Sequence, residues 1–521
     1  MLRIKNIKIN VKELEQDNLI KEYILKKYKL NINDFKINKK SIDARHKPDV
    51  FYIYEIDVDI NDKKYLKYDT VEEIIDDEYK IPSLNITFKN RPIVIGFGPA
   101  GIFCSYILAK AGLKPIIFER GKKIENRIKD VEDFWNTNKL NVNSNIQFGE
   151  GGAGTFSDGK LNTMIKEKLR QKFVFKTFVE FGAPEEILYL NKPHIGTDLL
   201  RNVIVNLRNE IINLGGEIHY DSTLTDINIE NNQVKSIIIN NEKEYVTDNL
   251  VLAIGHSARD TFKMLNNNLK MIPKPFAVGV RVQHKQDYIN KNQYGEVYKY
   301  LKPADYKLTY QTKDGRGVYS FCMCPGGFVV NSSSELNKIC INGMSNHDRS
   351  EENANSAIVV TVSPADYGNN IFDGMKFQEE LENKAYIEGN GLIPVSLYRE
   401  YKNNKTGASF RKIKPLFKGS YSFANINNIF PDYINNSIKE AMENFNTKII
   451  GFSDDDVIIA AVEARTSSPI RILRDHNLES NIKGIYPCGE GAGYAGGITS
   501  ASIDGIKVAE KIIQKENESN E

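Results

Sequence analysis

Gly96, Gly98 and Gly101 in "RPIVIGFGPAGIFCSYILAKAGLKPIIFER" (residues 91–120) are spaced for phosphate chemistry. Gly96 suits a tight turn after a buried apolar strand. Gly98 lets the backbone approach a pyrophosphate with no Cβ in the way. Gly101 lets the following helix pack closely on the strand. That helix opens at Pro99 and Ala100, so its first amides and positive dipole end face the phosphates. A second apolar run, "KPIIFE", ends in Glu119. In a strand–helix–strand unit this acid arrives where a ribose hydroxyl pair binds a carboxylate. The order strand, glycine turn, helix, strand, acid makes the motif specific for a dinucleotide.

The elements that must position this cradle follow from apolar spacing. Residues 1–88 form a small N-terminal α/β domain, with alternating strands in "LRIKNIKINV" and "FYIYEIDVDI" around a helical "KELEQDNLIKEYILKKYKL". Residues 89–274 hold the first part of the dinucleotide domain. Residues 275–454 read as an inserted, mostly antiparallel β domain, from short strands such as "FAVGVRVQH" and "SAIVVTVS". Residues 455–521 return to a glycine-rich turn and a long helix, completing the first domain. The expected fold class is therefore α/β, with a doubly wound Rossmann-type domain, an inserted antiparallel β domain and a small N-terminal α/β domain. The tail "KENESNE" is expected to be disordered.

Bulk composition narrows the classes. The chain of 521 residues is too long for one core, and its net charge of +2 gives no global attraction to nucleic acid or membrane. Five cysteines, an odd number, argue against a disulfide framework and for a reducing cytoplasm. The apolar run Ile93–Ala109 carries three glycines and a proline and is short for a bilayer. A soluble, cytoplasmic chain with no membrane or metal partner is the expectation, and its oligomeric state is left open.

Longer strings carry a family resemblance. The C-terminal "GIYPCGEGAGYAGGITSASIDGIKVAEKI" resembles the segment of the glutathione-reductase superfamily whose acid holds the FAD ribitol and whose helix points at the flavin. "GEGGAGTFSDGKLNT", "CPGGFVVNSSSE", "NGMSNHDRSEENANSA" and "VEARTSSPIRI" resemble a bacterial family of FAD-dependent dehydrogenases with no assigned substrate. The resemblance runs from about residue 90 to the C-terminus, and "KKSIDARHK" extends it to the N-terminal unit. It implies FAD and oxidoreduction and names no reaction. Carried over by position, Gly96, Gly98, Pro99, Ala100 and Gly101 would wrap the pyrophosphate, and Glu119 would hold the adenosine ribose. Arg120 and Arg127 would serve the adenosine side or the phosphates. Gly151, Gly152, Gly154 and Thr155 would approach the isoalloxazine. Gly255 would end a strand leading back across the dinucleotide. Gly489 and Glu490 would meet the ribitol, and Gly496, Gly497 and Ile498 would aim amides at the flavin N1/O2 edge.

Catalytic candidates lie in the inserted region and just after it: His347 for proton transfer, and Arg349 and Arg465 to clamp an anionic substrate. Cys322 and Cys324, two residues apart, are read as buried small residues rather than a disulfide. No second G-x-G-x-x-G follows, so NAD(P)H is expected only as a transient electron donor, with a small organic molecule as the substrate. Two rivals remain. One is a flavin-dependent RNA-modifying enzyme docking RNA through Lys39, Lys40, Arg45 and Lys47, against which the solvated-loop reading of this stretch weighs. The other is a non-catalytic FAD-binding scaffold.

Overall fold

A computed structural model describes residues 1–75, 77–83 and 90–518. At its centre is a five-stranded sheet in the order Ile485–Pro487, Leu250–Leu252, Ile93–Ile95, Ile116–Phe118, Glu217–His219. Every neighbouring pair is parallel. The strands are short, and all but the edge strand Glu217–His219 are fully or largely buried, as a sheet covered on both faces requires.

Side-chain alternation divides the two faces. Val94, Ile117, Val251 and Tyr486 enter one core with the helices Pro99–Lys110, Thr197–Asn213 and Ile498–Glu518. Ile93, Ile95, Phe118, Leu250 and Leu252 point the other way, into a second core. That second face corrects the doubly wound expectation. A three-stranded antiparallel meander, Leu224–Glu230, Gln233–Ile239 and Lys243–Val246, covers it together with the short helix Arg259–Leu265. The meander strands carry apolar residues at Leu224, Ile227, Val234, Ile237 and Ile239, which close the layer without a long crossover helix.

The second large sheet has seven strands, in the order Thr309–Gln311, Gly317–Cys324, Asn353–Val362, Phe276–Lys285, Ile458–Glu463, Ile393–Leu397, Tyr421–Phe423. All its pairs are antiparallel except the last. Val278, Val280 and Val282 face the helices Asp373–Glu388 and Asp432–Lys448, while Arg281 and Gln283 face the opposite side. Ile458–Glu463 pairs with Phe276–Lys285 and Ile393–Leu397. The chain therefore leaves this sheet after residue 463, not at the expected boundary of 454/455. A strand buried throughout cannot be told by spacing from one of the parallel sheet.

The N-terminal unit is a four-stranded antiparallel sheet, ordered Lys36–His46, Asp49–Val58, Leu2–Asn10, Val71–Glu73, with the helix Gln16–Tyr28 packed on it. The expected boundary at residue 88 lies outside the described residues. Lys515–Glu518 continue the last helix, so the expected disorder does not begin at Lys515, and the final three residues lie outside the described ones. Among the described residues no helix is long and apolar enough to cross a membrane.

Candidate functional site

The chain reverses its winding between Ile93–Ile95 and Leu250–Leu252, and the carboxyl ends of these strands open on a cavity of about 870 Å³. Such a switch point is where open parallel sheets bind ligands. The cavity extends to the polar face of the seven-stranded sheet, where Cys322, Cys324, Glu463 and Arg465 line it.

The glycines of the first turn divide by cause. Gly96 has φ +95°, and a Cβ there would lie 2.2 Å from Ala253 O. A Cβ at Gly101 would lie 1.9 Å from Gly96 O, so the helix start rests directly on the turn. Both are glycine for the fold. Among the described residues, a Cβ at Gly98 would meet only Gly152, at an ordinary 3.6 Å, and at Gly496 and Gly497 it would meet nothing within 4 Å. All three line the cavity. The chain itself does not require glycine there, and the bare backbone suits a group lying flat against it. This is the fit expected of a dinucleotide cradle.

Glu119 is 5% exposed and lines the cavity. Its carboxylate accepts N–H groups from Phe97 (2.8 Å), Gly121 (2.8 Å) and Gly149 (2.9 Å). It thus ties the first glycine turn to the second glycine loop. A carboxylate offers about four acceptor positions, which leaves room for a hydroxyl. Arg120 also lines the wall. Its Nη2 donates to Asp260 and Thr261, and its guanidinium lies 4.7 Å above the Phe148 ring.

Arg127 is not in the cavity wall, contrary to the expectation of phosphate contact. It is fully buried and donates to the carbonyls of Asn145, Ile146, Glu150 and Gly152 and to Thr155 Oγ1. Its donors shape the 145–155 loop, which presents Gly152 and Gly154 to the cavity. Gly151, Thr155, Gly101 and Gly489 stand one layer behind the wall. Gly489 N–H is held by Asp504 Oδ2 at 2.8 Å, and Asp504 is paired with Arg474. Pro99, Ala100, Gly255, Glu490 and Ile498 line the wall. Glu490 faces His256, Nδ1 to Oε1 3.3 Å. Gly496 N–H is taken by Ser500 Oγ at 3.1 Å, a helix cap that removes one of the three amides expected to point at a ligand.

The expected catalytic residues fare differently. His347 and Arg349 do not line the cavity. His347 Nδ1 bonds Ile195 O at 3.0 Å and its ring stacks on His194, joining two loops. Arg349 grips Asp158 through Nε and Nη2. Arg465 does line the cavity, but its Nε and Nη2 are closed on Glu382 at 2.7 and 2.8 Å and its Nη1 on Ser334 and Ser257. With Arg259 bound to the same Glu382, this is a buried network joining the two large sheets. Arg281, also fully buried, donates from Nε to Glu463 Oε2 at 2.9 Å, and burial pushes the Glu463 carboxyl up. Asp158 and Lys160, in the cavity wall, went unnoticed as chemistry, although both stand in the quoted "GEGGAGTFSDGK". The charged pair directly after the glycine run was the available signal.

Residues 275–466 match the family described as FAD-dependent protein, C-terminal domain-like, and residues 1–59 match a domain of unknown function. A protein of Clostridium beijerinckii described as uncharacterized is 46% identical over 532 residues, covering 99% of each chain. Among solved structures, halogenase PltM is 10% identical over 83% of this chain and 70% of its own, with a TM-score of 0.39. A point variant of E. coli quinol fumarate reductase FrdA is 11% identical over 83% and 71%, with a TM-score of 0.37.

Proposed function

The chain belongs to one family with the Clostridium beijerinckii protein, and from that footing and the match of residues 275–466 to FAD-dependent proteins we propose that it is an FAD-dependent oxidoreductase. The observation that carries the reading is the trio Gly98, Gly496 and Gly497. They are brought from distant parts of the chain to one cavity, and no atom of the described residues demands a glycine at any of them.

When bound, FAD would supply two-electron transfer to an organic substrate. The protein's own contribution is position and charge. Gly96, Gly98, Pro99 and Ala100 would receive the pyrophosphate at the start of the helix Pro99–Lys110. Glu119, already oriented by three amides, would accept from a ribose hydroxyl. Glu490, held by His256, would face the linking polyol chain, and the Gly497 and Ile498 amides would favour negative charge at the end of the long terminal helix. The seven-stranded sheet would close the substrate end of the cavity.

The RNA-docking reading loses its footing. Lys40 lies over the Tyr52 ring at 4.0 Å and pairs through its backbone with Tyr189 and Asn191, and Lys47 Nζ reaches Asn292 O. Arg45 is closed on Asp43. Each of these side chains has a partner within the chain, although Arg45 and Lys47 stay exposed, and no observation supports RNA docking. No observation supports the expected nicotinamide donor.

The test is titration of apoprotein with FAD, followed by flavin fluorescence and the blue absorption band. Gly98→Val should keep its melting temperature, because a Cβ there clashes with nothing, while FAD binding weakens about tenfold or more. A folded Gly98→Val protein that binds FAD like the parent would overturn the cradle. Anaerobic titration with dithionite separates enzyme from scaffold, since a bound flavin that accepts no electrons favours the scaffold.

A further inference from the structure

Lys160 follows the second glycine loop, and its backbone is fixed. An antiparallel bridge joins it to His194, with Ile195 N–H to Gly159 O and Leu161 N–H to Pro193 O both at 3.0 Å. The side chain lines the cavity, and its Nζ is buried with no hydrogen-bond partner among the described residues. The nearest carboxylate oxygen, Asp158 Oδ2, is 3.7 Å away, beyond hydrogen-bond reach. Asp158 is meanwhile gripped through both oxygens by Arg349.

Two cations thus share one carboxylate, and one positive charge is left over. Among the described residues no further carboxylate pairs with Lys160. Cys322 and Cys324 line the same wall; Cys324 is buried, whereas Cys322, expected to be buried, is exposed. Desolvation pushes both thiols up, so both stay neutral. Burial pulls His194 down to about 4, so it adds no charge near neutral pH. The other cations of the wall are provided for: Arg465 by Glu382 and Glu335, Arg120 by Asp260, Lys192 by Asp305, and Lys307 by solvent at the mouth. A buried ammonium without acceptors is costly, and an anion bringing oxygen acceptors relieves that cost.

We propose that Lys160 anchors the carboxylate of an anionic organic substrate at the end of the cavity beneath the seven-stranded sheet. This deepens the oxidoreductase reading and rests on it for the place of the flavin. A single point charge matches a monoanionic carboxylate, whereas a phosphate dianion calls for the forked donors that here are already committed.

The test is calorimetry on the FAD-loaded protein with two probes of one shape, benzoate and its neutral amide. The parent should prefer benzoate by about tenfold or more. Lys160→Met should bring the two within about twofold, and Lys160→Arg should restore part of the preference, with FAD loading and melting temperature unchanged in both. Lys160→Gln gives a second neutral variant should Met disturb folding. Absent benzoate binding, equal binding of the two probes by the parent, or a preference that survives in Lys160→Met or Lys160→Gln overturns the proposal. Loss of FAD instead of benzoate from Lys160→Met also overturns it, by assigning Lys160 to the cofactor. A parent protein that takes up no FAD yet still prefers benzoate supports the anchor and counts against the flavin reading alone.

Discussion

His284, only 2% exposed, packs its ring 4.5 Å from the Phe452 ring and donates from Nε2 to Phe452 O at 2.9 Å. Burial pulls it down to about 4 from an ordinary 6.5, so it is neutral in the fold. The sign of its effect follows. Above about pH 6.5 neither state binds the proton and stability is complete. Below that the unfolded chain takes a proton the native core refuses, and stability falls until about pH 4. The shift is worth ~3 kcal/mol. Chemical denaturation across pH 4–7 should show this loss, with a shallower slope in His284→Gln. An unchanged slope would assign the acid sensitivity to other groups. The same scale explains why Arg465 and Arg127 were misread. An arginine expected near the cofactor reads as a ligand clamp, yet burial obliges each guanidinium to find acceptors within the protein. Arg465 found Glu382, a partner 83 residues away in sequence.

The decisive contact between elements is the crossing of Pro99–Lys110 with Ile498–Glu518. Gly505 lies there, and a Cβ on it would stand 2.2 Å from Ala100 O. Alanine in a helix ordinarily gains about 1 kcal/mol over glycine. Here a backbone oxygen must move to admit it, and overpacking of this kind costs about 1–3 kcal/mol. Gly505→Ala should therefore lower thermal stability and weaken FAD binding together, because both helix starts border the cavity. A rise in melting temperature would show that the helices have room. Much of this level was readable. The apolar run Ile93–Ile95 and the glycine spacing mark strand, turn and helix without reference to anything distant.

Across the whole molecule, the N-terminal sheet is docked by its edge strand. Lys40 N–H bonds Tyr189 O at 2.7 Å, Asn191 N–H bonds Lys40 O at 2.9 Å, and Val11 and Val50 pack with Val297. The segment it holds runs into Lys192, in the cavity wall. The unit thereby braces one lip of the site. Val297, 4% exposed, is the point to break this contact. Val297→Asp places a charge in an apolar seam, and the unit should detach, read as a larger radius of gyration in small-angle scattering with FAD binding retained. An unchanged scattering profile would show that the strand pairing alone suffices.

What the sequence determined by itself was local: the glycine turn, the helix that follows it, the acid ending the next strand, and the alternating strands of the insertion. Each depends on residues within one or two turns of chain. Tertiary structure alone decided the rest. Which face of the parallel sheet a meander covers, which sheet Ile458–Glu463 joins, and which cation is left without a hydrogen-bond acceptor depend on partners from tens to nearly two hundred residues away. Burial and charge balance are sums over neighbours in space, and spacing along the chain does not contain them.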